Sequence, residues 1–485
     1  MLLKFYNREQ EIKKLMQDIQ NSKKCLYLTV CKGIRRVGKT KLVKHVVEKT
    51  KIKYLYLYVV ADKSKGELLK SFQRSAAEVF KQEFSQKNLT EFLEELFKIA
   101  QKKHFVLIMD EFQNFIDVDK SIFGELQRLI DEYEDKSKFL IICLGSYVSL
   151  IEDIFSNQKA PLYRRAKEKQ TINPWKFKYV LQLCLDYQLN FNDALNFYTL
   201  FGGMPHYYVL LFDKNLHNFP ISKVFEKICL GSLQTEVDQI ISTELKKYDK
   251  ARAVLEAINQ GYNICSKITK FVFGQYNLKS QEEKRRYYSD YKLVEKTLKK
   301  LKDFQFVTSG NKINSNKNIY KIKNNFIKIY FKYIFKYLDL IEFEEISRVV
   351  EYFKKNFEVD KGFTYEAVTR QYLLGGNFQG INFDVVEKIG NKNNEIDLLA
   401  WNSSDNIILF LECKYQVKPV DIKVLEKLKK RSLKIKFKEI NNKTKKIYVV
   451  LSHSDFQQKA KKYGFLNNIQ TFNTKEFFKE WETGL

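Results

Sequence analysis

The first third of the chain alternates continuous apolar runs with amphipathic stretches. Residues 25–33 (CLYLTVCKG), 53–60 (KYLYLYVV), 105–111 (FVLIMDE) and 139–146 (FLIICLGS) are apolar runs of strand length, the pattern of parallel strands buried on both faces. Between them, residues 66–80, 90–101 and 123–134 place apolar side chains three and four apart, which predicts helices packed on that sheet. From about 176 to 245 the pattern is mostly helical, broken at Gly202-Gly203-Met204-Pro205.

Residues 251–260, 266–273 and 289–304 predict three helices, the third capped by Ser289 or Asp290. Two β-like runs follow within 306–323, around a Gly/Asn/Ser turn. Helix, helix, helix, hairpin is the order of a winged helix. An aromatic segment at 324–343 leads to helical stretches at 344–357 and 363–374. Strand-like runs then occupy 383–390, 395–402, 406–415 and 445–452, a second and smaller α/β domain. The expected organisation is therefore 1–175, a parallel-sheet core; 176–245, a helical lid; 246–325, a winged helix; and 326–485, the second α/β domain.

A chain of 485 residues is too long for one core. Lys and Arg number 85 against 58 Asp and Glu, a net charge of +27. Such an excess either decorates solvated faces or serves a partner with many phosphates, and charge alone does not choose between nucleic acid and an anionic membrane. No apolar run reaches the length of a membrane span, and no signal-peptide core precedes the first charges. Seven scattered cysteines without a CxxC pair read as free thiols of a cytoplasmic protein. Five histidines, none at ligand spacing, argue against zinc.

Candidate chemistry sits at the ends of the first strands. Residues 33–40, Gly33-Ile34-Arg35-Arg36-Val37-Gly38-Lys39-Thr40, fit G-x-x-x-x-G-K-T between a strand and a helix that continues from Lys41. Glycines let backbone N–H groups close around phosphates, and the helix N-terminus favours their charge. Lys39 would reach the β- and γ-phosphates of ATP and Thr40 would ligate Mg²⁺. Asp110 ends an apolar run, placed to join the metal shell, and Glu111 follows it, placed to polarise water. Ser146 could sense the γ-phosphate between the two motifs, and Arg164 or Arg165 could supply an arginine finger.

These residues carry a resemblance. FYNREQEI, GIRRVGKTKL, LIMDEFQNF, LGSYVSLIEDIF, APLYRR and FGGMPHYY, within residues 5–208, resemble the archaeal-type ATPases of the AAA+ superfamily. The resemblance implies an ATP-hydrolysing core that begins at Arg8 and Glu9, with the helices after 176 as its lid. Members usually carry Gly before the arginine of the APLYRR segment, where this chain has Tyr163.

A second constellation lies near the C-terminus: Glu366 on a helix, Asp397 opening a strand, and Glu412 with Lys414 two apart on the next strand. Carboxylates from adjacent strands can hold Mg²⁺ or Mn²⁺, with Asp397 and Glu412 the expected ligands and Glu395 an alternative. A nearby lysine can orient water and offset phosphodiester charge. The order resembles the PD-(D/E)XK nuclease fold, as does the domain of unknown function that usually ends these ATPases. Two functions are expected from the whole. One is an ATPase that gates a metal-dependent nuclease on DNA; the other is a nucleotide-dependent switch whose last domain only binds. A homo-oligomer is compatible with either.

Overall fold

The computed structural model describes residues 5–245, 249–311, 318–375, 378–390, 394–435, 437, 441 and 443–483. The chain forms two compact units, one of residues 1–174, 204–214 and 238–324, the other of residues 175–203, 215–237 and 325–485.

The first unit is built on five strands: β1 (Tyr27–Lys32), β2 (Tyr54–Tyr58), β3 (Val106–Asp110), β4 (Leu140–Gly145) and β5 (Glu168–Thr171). Their order is β2-β3-β4-β1-β5 and every pairing is parallel. β3 and β4 are buried along their whole length, as their continuous apolar sequence requires. One face packs Leu42, Val43, Val46 and Val47 of the helix Lys39–Lys49. The other packs Phe72, Phe92, Phe97 and Leu126 of the helices Lys65–Phe80, Leu89–Lys102 and Ile122–Tyr133.

The same unit holds the helices Ala251–Asn259, Cys265–Phe273 and Gln281–Asp303, then the antiparallel pair β6 (Val307–Asn311) and β7 (Asn318–Ile322). The hairpin tip, 312–317, lies outside the described residues. The third helix starts eight residues before the expected cap. Ser280 is its N-cap, accepting from Glu283 N. The expected caps are interior, and Asp290 accepts from Tyr276 Oη at 2.8 Å. A Ser-x-x-Glu start followed by helix-favouring Gln, Glu, Lys and Arg outcompetes the later Ser-Asp pair.

The second unit contains the helices Phe177–Asp186, Phe191–Phe201 and Ile221–Cys229, the aromatic segment, and one helix of 30 residues, Ile346–Gly375. That single helix replaces the two expected there. Its middle is held by tertiary contacts: Lys332 Nζ reaches Asp360 at 2.7 Å, and Lys361 lies over the Tyr415 ring at 5.0 Å. The aromatic segment is core. Phe326, Tyr330 and Tyr333 are buried, and Phe225 stacks on Phe353 at 4.1 Å.

The second sheet comprises β8 (Val385–Ile389), β9 (Ile396–Asn402), β10 (Ile407–Lys414), β11 (Lys445–Ser452) and β12 (Ile469–Asn473), in the order β12-β11-β10-β9-β8. β8, β9 and β10 are mutually antiparallel; β10, β11 and β12 are parallel. A long helix before antiparallel strands, then parallel strands with a crossover helix, Ile422–Ser432, is the α/β architecture expected of a PD-(D/E)XK-like domain. The chain as a whole is α/β.

Two glycines give opposite expectations. A Cβ on Gly203 would lie 1.8 Å from Trp175 O, whereas one on Gly124, within the helix Ile122–Tyr133, would meet nothing within 4 Å. Gly203→Ala is expected to lower stability by about 3 kcal/mol through overpacking. Gly124→Ala is expected to raise it by roughly 0.5–1 kcal/mol through helix propensity. Thermal melting of the two variants checks both signs, and equal melting temperatures would refute the contrast.

Candidate functional site

The loop Gly33–Thr40 leaves β1 and enters the helix Lys39–Lys49, with Gly38 as N-cap in left-handed backbone, φ 90°. A Cβ on Gly33 would lie 2.4 Å from Ile172 O. The loop can therefore seat against the end of β5 only with glycine there. Lys39 is buried and donates to Gly33 O at 2.8 Å and Ile34 O at 3.3 Å, so its ammonium bridges the loop carbonyls. Arg8, also buried, donates to Val37 O at 3.2 Å and Asn173 O at 2.7 Å and pairs with Glu11. It ties the N-terminal segment to the loop and to the chain after β5. Arg35 and Lys41 are exposed, and Arg36 adopts left-handed backbone, φ 69°.

Asp110 is buried at the end of β3, and its Oδ2 accepts from Thr40 Oγ1 at 2.6 Å and Tyr56 Oη at 2.7 Å. Burial and the Asp110 carboxylate hold the Tyr56 phenol above its ordinary range, so it remains a donor. Thr40 and Asp110 together present the hydroxyl and carboxylate oxygens that Mg²⁺ takes; the donor set fits the ion.

Glu111 follows in left-handed backbone, φ 53°, a conformation costing about 1–2 kcal/mol outside glycine. Its Oε2 accepts from Ser146 Oγ at 2.6 Å, Ser146 N at 3.3 Å and Gln113 Nε2 at 2.5 Å. The sheet order explains the meeting. β4 lies between β1 and β3, so Ser146 emerges between the loop and the acidic pair.

Arg164 and Arg165 are not brought there. They precede β5, at the edge where the strands begin, beside Leu26 and Leu28. Arg165 pairs with Asp131 at 2.7 Å, and Arg164 is exposed over the Tyr163 ring at 5.2 Å. The loop Gly33–Thr40 occupies the opposite edge, so within one chain Arg164 does not reach the phosphate site.

In the second unit, Asp397 on β9 and Glu412 and Lys414 on the adjacent β10 converge. Lys414 Nζ lies 2.7 Å from Glu412 Oε1 and 3.8 Å from Asp397 Oδ2. Asp397 Oδ2 also accepts from Cys413 N at 3.0 Å. Burial first, then the Asp397 charge, raises the pKa of Glu412 and likewise of Glu366. Burial pulls Lys414 down, but Glu412 and Asp397 hold its ammonium above the usual range. Glu412 Oε2 is buried and makes no hydrogen bond. An orphaned carboxylate oxygen beside a second carboxylate fits a divalent ion. Among the described residues no three acidic, histidine or cysteine groups converge as a metal cage, so two carboxylates would share the ion with water and substrate oxygens.

Four participants carry no sequence signal of their own. Lys388 on β8 pairs with Glu395 at 2.7 Å and Glu366 at 3.7 Å, and Arg431 lies 3.4 Å from Glu412. Tyr56 and Gln113 bind the acidic pair of the first unit. A tyrosine or lysine in a strand of a Lys- and Tyr-rich chain stands out only once the sheet order is known.

Among the described residues no helix is long and apolar enough to cross a membrane, and the cysteines form no disulfide. Residues 5–211 match a family described as an ATPase domain predominantly from Archaea, and residues 330–447 match a family of archaeal and bacterial proteins of unknown function. An uncharacterized protein of Methanocaldococcus jannaschii is 28% identical over 427 residues, covering 86% of this chain and 89% of that one. A Walker-type ATPase of Pyrococcus abyssi superposes with a TM-score of 0.52 at 20% identity, over 68% of this chain and 96% of that one. The ORC2 protein of Aeropyrum pernix, solved in ADPNP and ADP complexes, gives a TM-score of 0.46 at 13% identity, over 72% of this chain and 95% of that one. The parallel sheet with its phosphate loop and acidic strand end thus lies in a segment similar to an ATPase domain family predominantly from Archaea, and the mixed sheet overlaps a segment similar to a family of archaeal and bacterial proteins of unknown function.

Proposed function

We propose that this ATPase acts on DNA and that its C-terminal cluster cleaves phosphodiester bonds with a divalent metal. The observation that carries the second half is the meeting of Asp397, Glu412 and Lys414 on neighbouring strands, with one Glu412 oxygen buried and unpartnered. Asp397 and Glu412 would hold the ion, Lys414 would orient the attacking water, and Glu366 would be a further acid at the rim. The ion would supply Lewis-acid polarisation of the phosphoryl oxygen and offset charge developing on it.

At the nucleotide site Lys39 would exchange its loop carbonyls for the β- and γ-phosphates of ATP, and Thr40 and Asp110 would hold Mg²⁺. Glu111 would orient the attacking water once its oxygen is released from Ser146. Exposed Lys292, Lys296 and Lys299 on the third helix of the winged-helix segment suit a phosphate backbone. Lys300 points elsewhere, donating to Tyr147 Oη at 3.2 Å.

One observation favours a second reading, a nucleotide-dependent switch whose last domain binds without cutting. Lys388 and Arg431 add two cations to the acidic cluster, and cations already neutralising carboxylates compete with a metal.

Three outcomes test the proposal. Lys39→Ala is expected to abolish ATP binding, and Glu111→Gln to keep binding while losing turnover, because Lys39 contacts ground-state phosphates and Glu111 the water. Wild-type turnover in Glu111→Gln would remove Glu111 from the chemistry. The full-length chain with Mn²⁺ is expected to nick supercoiled DNA and to stop doing so as Asp397→Ala; no nicking by the wild type selects the switch. Duplex affinity is expected to fall steeply with salt, with a logarithmic slope near −0.9 per phosphate contact. No binding at about 50 mM salt would assign the basic excess to solvated faces instead.

A further inference from the structure

Within the first unit the residue after Ser146 has an engagement unrelated to nucleotide. The Tyr147 ring stacks on Phe304 with centroids 3.8 Å apart and planes 24° apart. Lys300 Nζ lies 3.2 Å from its hydroxyl and 5.7 Å from its ring centroid. Phe304 is the C-cap of the 23-residue helix Gln281–Asp303 and stacks in turn on Phe306, the residue before β6. Tyr147 therefore touches the winged-helix segment where its third helix meets its hairpin. On the other side, Ser146 supplies two of the three donors on Glu111 Oε2.

These contacts share one peptide. Tyr147 has φ −91° and ψ 88°, outside both helix and strand, and is the N-cap of the helix Val148–Ser156. Its carbonyl accepts from Ile151 N at 3.0 Å, so the residue joins the start of that helix to the ring contacts. A shift of Phe304 and Lys300 must be taken up at Tyr147, and the adjoining turn is Ser146. Three donors on Oε2 occupy its lone pairs and hold the carboxylate toward Ser146, leaving Oε1 to meet a water; the group can turn toward a water only when Ser146 lets go.

We propose that Tyr147 is a positioning residue that links the winged helix to the catalytic acid: duplex DNA on the winged helix moves Phe304 and Lys300, Tyr147 follows, and the Ser146–Glu111 bonds open. The inference rests on the reading that the winged helix binds DNA and Glu111 orients water. DNA then acts on turnover and leaves ATP binding alone, because Lys39, Thr40 and Asp110 are not in the linkage.

The experiment measures kcat and KM for ATP hydrolysis by the full-length chain with and without saturating duplex, alongside duplex affinity from fluorescence anisotropy. Wild type is expected to gain about fivefold or more in kcat with DNA at unchanged KM, within the usual range of coupling between sites. Phe304→Leu keeps an apolar side chain of similar volume but loses the stacked ring. It is expected to bind DNA and to hydrolyse ATP at the basal rate, with stimulation reduced to less than about twofold. Tyr147→Phe, which keeps the ring, is expected to retain stimulation. Should Phe304→Leu fail to fold, Tyr147→Leu removes the same stack from the other side and is expected to lose stimulation. Wild type that binds duplex with unchanged kcat, or Phe304→Leu stimulated as fully as wild type, overturns the linkage and leaves DNA binding intact. Wild type that binds no duplex overturns the DNA reading and the linkage with it.

Discussion

The hydrogen bond from Gly33 N to Gly145 O, 3.2 Å long, is the constraint on which the nucleotide site depends. It joins the first residue of the phosphate loop to the last residue of β4 and exists because β4 is inserted between β1 and β3. Neither glycine is replaceable at this junction. A Cβ on Gly33 would strike Ile172 O, and one on Gly145 would lie 2.2 Å from Ile151 Cγ1 and 2.7 Å from Gln113 Oε1. With the three strand ends drawn together, Thr40 meets Asp110, and Ser146 meets Glu111. The insertion is driven by burial: β4 is apolar and inaccessible on both faces, which only a central strand of a covered sheet can be.

The acidic groups of the second sheet face a different problem. Carboxylates held in a buried cluster repel one another and lose hydration, and both effects raise the pKa of Glu412 and Glu366. Lys414, Lys388 and Arg431 offset part of that cost. The compensation is incomplete, since Glu412 Oε2 has no partner. An unsatisfied buried oxygen costs about 1–3 kcal/mol, a cost that a divalent ion would relieve. This imbalance is the physical reason to read the cluster as a site.

Legibility followed the range of the forces involved. Strands β1–β4, β8–β11 and the helices packed on them are visible in the sequence because burial imposes a local period. The phosphate loop is visible because its glycines and lysine fall at a fixed spacing between a strand and a helix. What depended on tertiary contact was not. The segment 358–362 reads as a break, yet Asp360 and Lys361 find partners on Lys332 and Tyr415 and the helix continues through it. β12 is a short, polar edge strand recruited by pairing with β11. Arg164 was grouped with the nucleotide site by motif order alone, and motif order does not say at which edge of the sheet a residue lies. Lys388 joins its cluster only through antiparallel pairing of β8 with β9.

The lysine excess divides on the same principle. Lys39 bridges loop carbonyls, Lys332 meets Asp360, Lys361 and Lys429 cover tyrosine rings, and Lys414 lies among carboxylates. Long aliphatic stems let these residues close an aromatic-rich interior while their charge finds a carbonyl, a carboxylate or a ring face. Net charge therefore overstates what is available to an external polyanion. The fraction that remains exposed on one face, as on the helix Gln281–Asp303, matters more than the total. Lys300 marks the limit of that face: one helical turn after Lys296 the row leaves solvent and turns onto Tyr147. The same helix thus offers charge to solvent along its middle and reaches, at its end, the residue next to the one that holds Glu111.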